Sequence, residues 1–277
     1  MAGGRFHLTD DQRYRFDLQG YLVVPGALGV TDVDACNRAV DAVAGTPAAA
    51  AGMLGWPKPH REPFRRLLIH PDVVARLNEL CGVRFRLDHG PRLLAGSDGT
   101  GAELQGGGEP FSPAAWYHQQ NGRIFASAVT AAWQLGGEGG MCVVPGSHKA
   151  VEPAPAGVLA GGDRGAAMDV VRELPTRAGD LVLFAETITH GAPRGNGEGG
   201  RRVVLYTYTA RAVVAHAGRL FLPEEVWGDW TRELTPEQRA VLHGPGVDAA
   251  GRLPLLESDG AVARVRGADR GPRGGPT

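Results

Sequence analysis

The chain has 277 residues, length for one large all-β domain with helical flanks, and 43% are hydrophobic, enough for a real core. A formal net charge of −1 argues against electrostatic capture of nucleic acid or an anionic membrane, and the 42 glycines and 20 prolines suit short strands joined by turns. Cys36, Cys81 and Cys142, at spacings that fit neither a disulfide framework nor a zinc pattern, read as thiols in a reducing compartment. Met1 to His7 lacks the apolar run of a signal peptide, and no stretch approaches a bilayer span, so a cytoplasmic location is expected.

Thr9-Asp10-Asp11-Gln12 fits a capping box, predicting a helix that Gly20 ends. Tyr21-Leu22-Val23-Val24 follows as a strand into a Pro25-Gly26 turn. Thr31 is placed to cap a second helix through about Val43, with Val33, Cys36, Ala39, Val40 and Val43 at helical spacing. Ala44 to Glu62 reads as a surface excursion, and a third helix spans Pro71 to Leu80. Strands are then predicted over Phe85–Leu94, Ile124–Leu135, Met141–Val144, Val170–Leu174, Asp180–Glu186 and Arg202–Arg211, with glycine-rich turns between them. A last helix starts at the Thr235-Pro236-Glu237-Gln238 box and ends near Gly244. The pattern predicts one domain over residues 1–256, and the Gly-, Pro- and Arg-rich stretch 257–277 reads as a disordered tail.

The ordered text Val143-Val144-Pro145-Gly146-Ser147-His148-Lys149, Gly179-Asp180-Leu181-Val182-Leu183-Phe184, Thr189-His190-Gly191 and Arg201-Arg202-Val203-Val204-Leu205-Tyr206 resembles the phytanoyl-CoA dioxygenase family. The resemblance implies an all-β core with flanking helices, a double-stranded β-helix (cupin-like jelly roll), and an Fe(II)- and 2-oxoglutarate-dependent oxygenase. Such iron sites use two histidines and a carboxylate, leaving open positions for 2-oxoglutarate and O₂. His190 matches the late histidine, and Arg202, twelve residues on, matches the arginine that grips 2-oxoglutarate. Arg202 would share a strand face with Val204, Tyr206 and Tyr208, while Arg201 would point the other way. Glu186 precedes His190 by four residues, about 13 Å on an extended strand, so one metal takes both only if the chain bends.

The early histidine-carboxylate pair is where this sequence departs from the family. Two stretches compete for that place. In Trp116-Tyr117-His118-Gln119-Gln120, His118 would be the ligand and Gln120 would stand at the carboxylate position. In Leu104-Gln105-Gly106-Gly107-Gly108, Gln105 would replace the histidine and Gly107 the carboxylate. Gln105, Trp116, Tyr117, Gln120 and Trp133 are candidate substrate-pocket residues, and His118, Glu186 and His190 candidate catalytic ones. His118 and His190 are also the candidate metal ligands, although His118 reads equally as a hydrogen-bonding or structural residue. Three functions remain open: oxidation of a small organic molecule, with a biosynthetic intermediate favoured over an acyl-CoA; acid/base isomerisation, cyclisation or elimination without iron; and binding without catalysis.

Overall fold

The computed structural model describes residues 8–96, 104–106, 116–137, 141–159, 170–192, 200–213, 222–244 and 255–266. Helix α1 (Asp10–Gln19) carries the capping box on Thr9, and Gly20 closes it in the left-handed region at φ 84°. A Cβ at Gly20 would meet His148 Nδ1 at 2.6 Å, so glycine serves both the turn and a close approach. Strand β1 (Tyr21–Val24) follows. Helix α2 (Val30–Val43) buries the five residues read from its spacing, but its N-cap is Gly29, and Thr31 lies inside the first turn.

The stretch after α2 is not a surface excursion. A 3-10 turn at Pro47–Ala51 leads to buried Met53, Leu54 and Trp56. Trp56 packs edge-on against Phe64 of α3 (Glu62–Leu67), with ring centroids 5.3 Å apart. Helix α4 (Pro71–Leu80) has the predicted bounds.

The predicted strand Phe85–Leu94 divides into β2 (Arg86–Leu87) and β3 (Arg92–Gly96). A hairpin, β4 (Tyr117–Gln120) and β5 (Arg123–Ala126), precedes β6 (Ala128–Gly136). Then come β7 (Cys142–Val143), a short helix α5 (Ala156–Leu159), β8 (Arg172–Glu173), β9 (Leu181–Ala185), β10 (His190–Gly191) and β11 (Arg201–Thr209). Helices α6 (Pro223–Trp227) and α7 (Pro236–Ala240) follow, α7 on the Thr235 box and shorter than its pattern suggested.

Residues 257–266 of the stretch expected to be disordered are ordered, and residues 267–277 lie outside the described residues. Strands β12 (Leu255–Ser258) and β13 (Ala263–Arg266) pair as an antiparallel hairpin, and Leu256 is buried in the main core.

The large sheet runs β1-β9-β6-β11-β2, with β3 also on β11, and the small sheet runs β10-β7-β8. Both faces of the large sheet are apolar. Val129, Ala131, Trp133, Leu183, Val204, Tyr206 and Tyr208 join the helices in one core cluster. Ala132, Val182, Phe184, Val203 and Leu205 form a second cluster with Met141, Val143 and Leu174 from the small-sheet side. The two sheets therefore face each other across an apolar layer, with helices behind the larger. No helix among the described residues is long and apolar enough to cross a membrane. The cysteines are free thiols, Cys36 and Cys81 buried and Cys142 half-buried.

Candidate active site

The chain leaves β9 at Ala185, turns through Ile188 N–H to Ala185 O (2.9 Å), and enters the small sheet at His190. This turn is the bend that an extended reading of Glu186 to His190 lacked. His190 is 6% exposed, and its ring leans on Phe184 at a centroid distance of 4.6 Å. Its Nδ1 lies 2.8 Å from Ile188 O. A carbonyl only accepts, so Nδ1 carries the proton and Nε2 keeps a lone pair, the tautomer a ligand or a base requires. The Pro145–Lys149 turn holds this place. Thr189 N–H donates to Ser147 Oγ (2.7 Å), and Val144 N–H donates to Thr189 O (2.8 Å).

Gln105 lies on the open side of His190. The two backbones exchange hydrogen bonds of 2.8 Å in each direction, forming an isolated bridge. Gln105 Nε2 stands 3.5 Å from His190 Nε2, at the outer limit of a hydrogen bond in which the amide N–H donates. Gly106, at φ 82°, admits this approach, since a Cβ there would meet Ile188 O at 2.4 Å.

Glu186 is half-buried and accepts a short hydrogen bond from Thr130 Oγ1. Thr130 Oγ1 also sits 2.7 Å from Thr207 Oγ1. With Thr130 donating to the carboxylate, Thr207 donates to Thr130, and the pair fixes one carboxylate oxygen. Sequence reading missed both threonines, although two hydroxyls within apolar strands, paired in register across β6 and β11, were a usable signal.

The arginine assignment is corrected. Arg202 projects to the helix side, where it meets Asp41 Oδ1 at 2.6 Å and Asn37 Oδ1 at 3.3 Å. Its face-mates Tyr206 and Tyr208 donate their hydroxyls to Phe64 O and Leu68 O, each at 2.7 Å, so that face is helix-packed. Strand β11 pairs with β3 without interruption from Arg201 to Leu205, so Arg201 shares the inner face with Val203 and Leu205. Its positive charge also reaches Cys142, whose thiol burial pushes up to about 11 against the lowering effect of Arg201.

The other candidates divide. His118 is exposed on β4, stacked on Phe125 at 4.9 Å and near Trp116 at 5.2 Å. Of the two competing stretches, it is Gln105 that the structure brings to His190. Gln120 is exposed beside the Asn121-Gly122 turn of the hairpin, and Trp116 is half-buried. Tyr117 points toward α1, donating to Asp17 Oδ1 at 2.8 Å, and burial pushes its phenol upward. Trp133 is fully buried on the helix side, edge-on to His70 at 4.9 Å. Tyr117 and Trp133 therefore belong to packing, not to a pocket between the sheets. A cleft of about 660 Å³ lined by Glu79, Val83, Arg123 and Phe125 does not touch His190.

The donor set can be tested against iron. Beside His190 Nε2, Gln105 offers only a neutral amide, and the Glu186 carboxylate is engaged by Thr130. Among the described residues, no three His, Cys, Asp or Glu form a metal-holding group.

The two facing sheets thus carry the His190 imidazole between them, against Phe184. Residues 110–203 match the family model of phytanoyl-CoA dioxygenase (PhyH). No curated protein matches the sequence. Among solved structures, HygX from Streptomyces hygroscopicus with iron bound aligns at TM-score 0.61 and 23% identity, over 73% of this chain and 87% of that one. SnoK, a non-heme alpha ketoglutarate dependent carbocyclase from nogalamycin biosynthesis, aligns at 0.52 and 17%, over 90% and 97%. EctD from S. alaskensis aligns at 0.53 and 18%, over 77% and 80%. These likenesses are of fold.

Proposed function

We propose that the chain is an enzyme that oxidises a small organic molecule, hydroxylating it or acting similarly, with Fe(II) and 2-oxoglutarate on a jelly-roll scaffold. The observation that carries this is His190: its ring lies against Phe184, its Nδ1 proton is committed to Ile188 O, and Nε2, 3.5 Å from the Gln105 amide, is left as the acceptor. The fold neighbours support the cofactors and the substrate class, since HygX has been solved with nickel, 2-oxoglutarate and hygromycin B together. The substrate proposed is a biosynthetic intermediate of that general kind.

His190 would hold the metal, and Arg201, not Arg202, would pair with the far carboxylate of 2-oxoglutarate, a planar fork against a planar anion. Iron with 2-oxoglutarate supplies the oxidising power from O₂. Glu186, oriented through Thr130 and Thr207, would accept a hydrogen bond or a proton from a bound hydroxyl. The apolar layer of Phe184, Val203 and Leu205 limits water around it.

A second reading, acid/base catalysis without iron by Glu186 and His190, is favoured by one observation: Gln105 stands where a stronger ligand is required. Anaerobic titration with Fe(II) and 2-oxoglutarate separates the two. The oxidative reading expects a visible charge-transfer band that His190→Ala abolishes. The same band in that variant, or no band in the unaltered protein, overturns it.

A further inference from the structure

We infer that the cleft between helix α4 and the β4–β5 hairpin is a second ligand site, one that takes an aromatic carboxylate. It lies apart from His190 and does not depend on the oxidative reading.

The cleft holds about 660 Å³, within the range of small-molecule sites, and Leu8, Leu80 and Ile124 in its walls are buried. Two further apolar side chains of its lining stay uncovered, Val83 at 53% exposure and half-buried Phe125.

The charges of the lining decide the sign of the ligand. Glu79 Oε1 accepts Leu8 N–H at 2.6 Å, and Glu79 Oε2 accepts from Arg13 Nη2 at 2.9 Å. Arg13 also donates to Asp10 Oδ1 at 2.8 Å and to Leu8 O at 3.2 Å. Glu79 and Arg13 therefore offset each other. Arg123 lines the same cleft, is exposed, and has no hydrogen-bond or ion-pair partner among the described residues. The uncompensated charge is positive, and its planar fork matches the two oxygens of a carboxylate.

The hairpin sets Arg123 and Phe125 in a fixed relation. Asn121 (φ 53°) and Gly122 (φ 71°) are both left-handed, as the tight two-residue turn of a hairpin requires. Arg123 follows directly, and Phe125 shares its strand face about 7 Å away at Cα. His118 stacks on the Phe125 ring at 4.9 Å, with 14° between the planes, and so steadies it. A ligand with a ring and a carboxylate on a short arm reaches both groups, ring on Phe125 and anion on Arg123.

2-Naphthylacetate is a suitable probe, since its fluorescence anisotropy reads binding to the full chain. It is expected to bind about tenfold tighter than its neutral amide, 2-naphthylacetamide, the scale for one hydrogen bond to a charged group. Arg123→Gln is expected to remove that preference, and Arg123→Lys to keep part of it. Phe125→Leu stays apolar but loses the ring, and is expected to weaken acid and amide alike by about threefold or more. His190→Ala is expected to bind both probes as the unaltered chain does.

No binding to the unaltered chain overturns the inference, as does equal affinity for acid and amide. A preference for the acid that survives Arg123→Gln overturns it too, and so does unchanged binding in Phe125→Leu. Loss of the probes in His190→Ala would put the ligand between the sheets instead.

Discussion

His148 shows how one side chain ties the site to the helical flank. It is buried, its ring packs edge-on against Tyr117 at 4.5 Å, and its Nε2–H donates to Asp17 O at 3.1 Å. Burial, helped by the charge of Lys149, pushes its pKa down to about 4. A free imidazole titrates near 6.5, so the folded state favours the neutral ring. That preference is fully present above about pH 6.5 and is lost as pH falls from there toward 4. His70, half-buried against Trp133, is shifted in the same direction. Denaturant unfolding between pH 6.5 and 5 is therefore expected to show stability falling by roughly 1–2 kcal/mol through His148. His148→Gln should flatten that slope whatever its offset, and an equal slope in the variant refutes the assignment. Because Ser147 of the same turn receives Thr189 N–H, loosening there reaches His190 directly.

Strand β11 shows what alternation reveals and what it conceals. Period two correctly separates Arg201 from Arg202, but not which of them faces inward, because both faces of the strand are apolar. Tyr206 and Tyr208 look like pocket residues in the sequence, yet their hydroxyls are satisfied by carbonyls at Phe64 and Leu68 on the helix side. Trp133 misleads for the same reason. The Arg202–Asp41 pair, 31% and 60% exposed at its side chains, is of a kind worth about 0–1 kcal/mol. Arg202→Ala is thus expected to leave 2-oxoglutarate binding unchanged. Arg201→Ala is expected to weaken it by about tenfold or more, the scale for removing one partner of a charge pair. Isothermal titration of the two variants checks this, and a reversed order restores Arg202. The capping boxes at Thr9 and Thr235 and the bounds of α4 were legible because their signals are local. Gln105 as the neighbour of His190 was not, since a single bridge between residues 85 apart leaves no periodic trace.

At the scale of the whole molecule, the terminal hairpin is part of the support behind the large sheet. Composition made residues 257 onward look unstructured, because arginine and glycine dominate there and each strand of the hairpin has only four residues. Yet Leu256 is 3% exposed, and Asn78 of α4 donates its amide to Leu256 O at 2.9 Å. Ala263 and Val265 pack against the same core. Helix α4 buries Val73, Val74 and Leu77, and His70, which caps it, packs against Trp133 of β6. Thr130 lies on the opposite face of β6, beside Glu186. A defect at the hairpin is thus two packing layers from the proposed site. Leu256→Ala is expected to cost roughly 2–4 kcal/mol, the range for a leucine removed from a close-packed core. Ending the chain after residue 254 should cost more, since it also bares α4 and leaves Asn78 without its acceptor. Urea unfolding measures both. A truncated chain with the midpoint of the full one would mean that the hairpin decorates the core without bracing it.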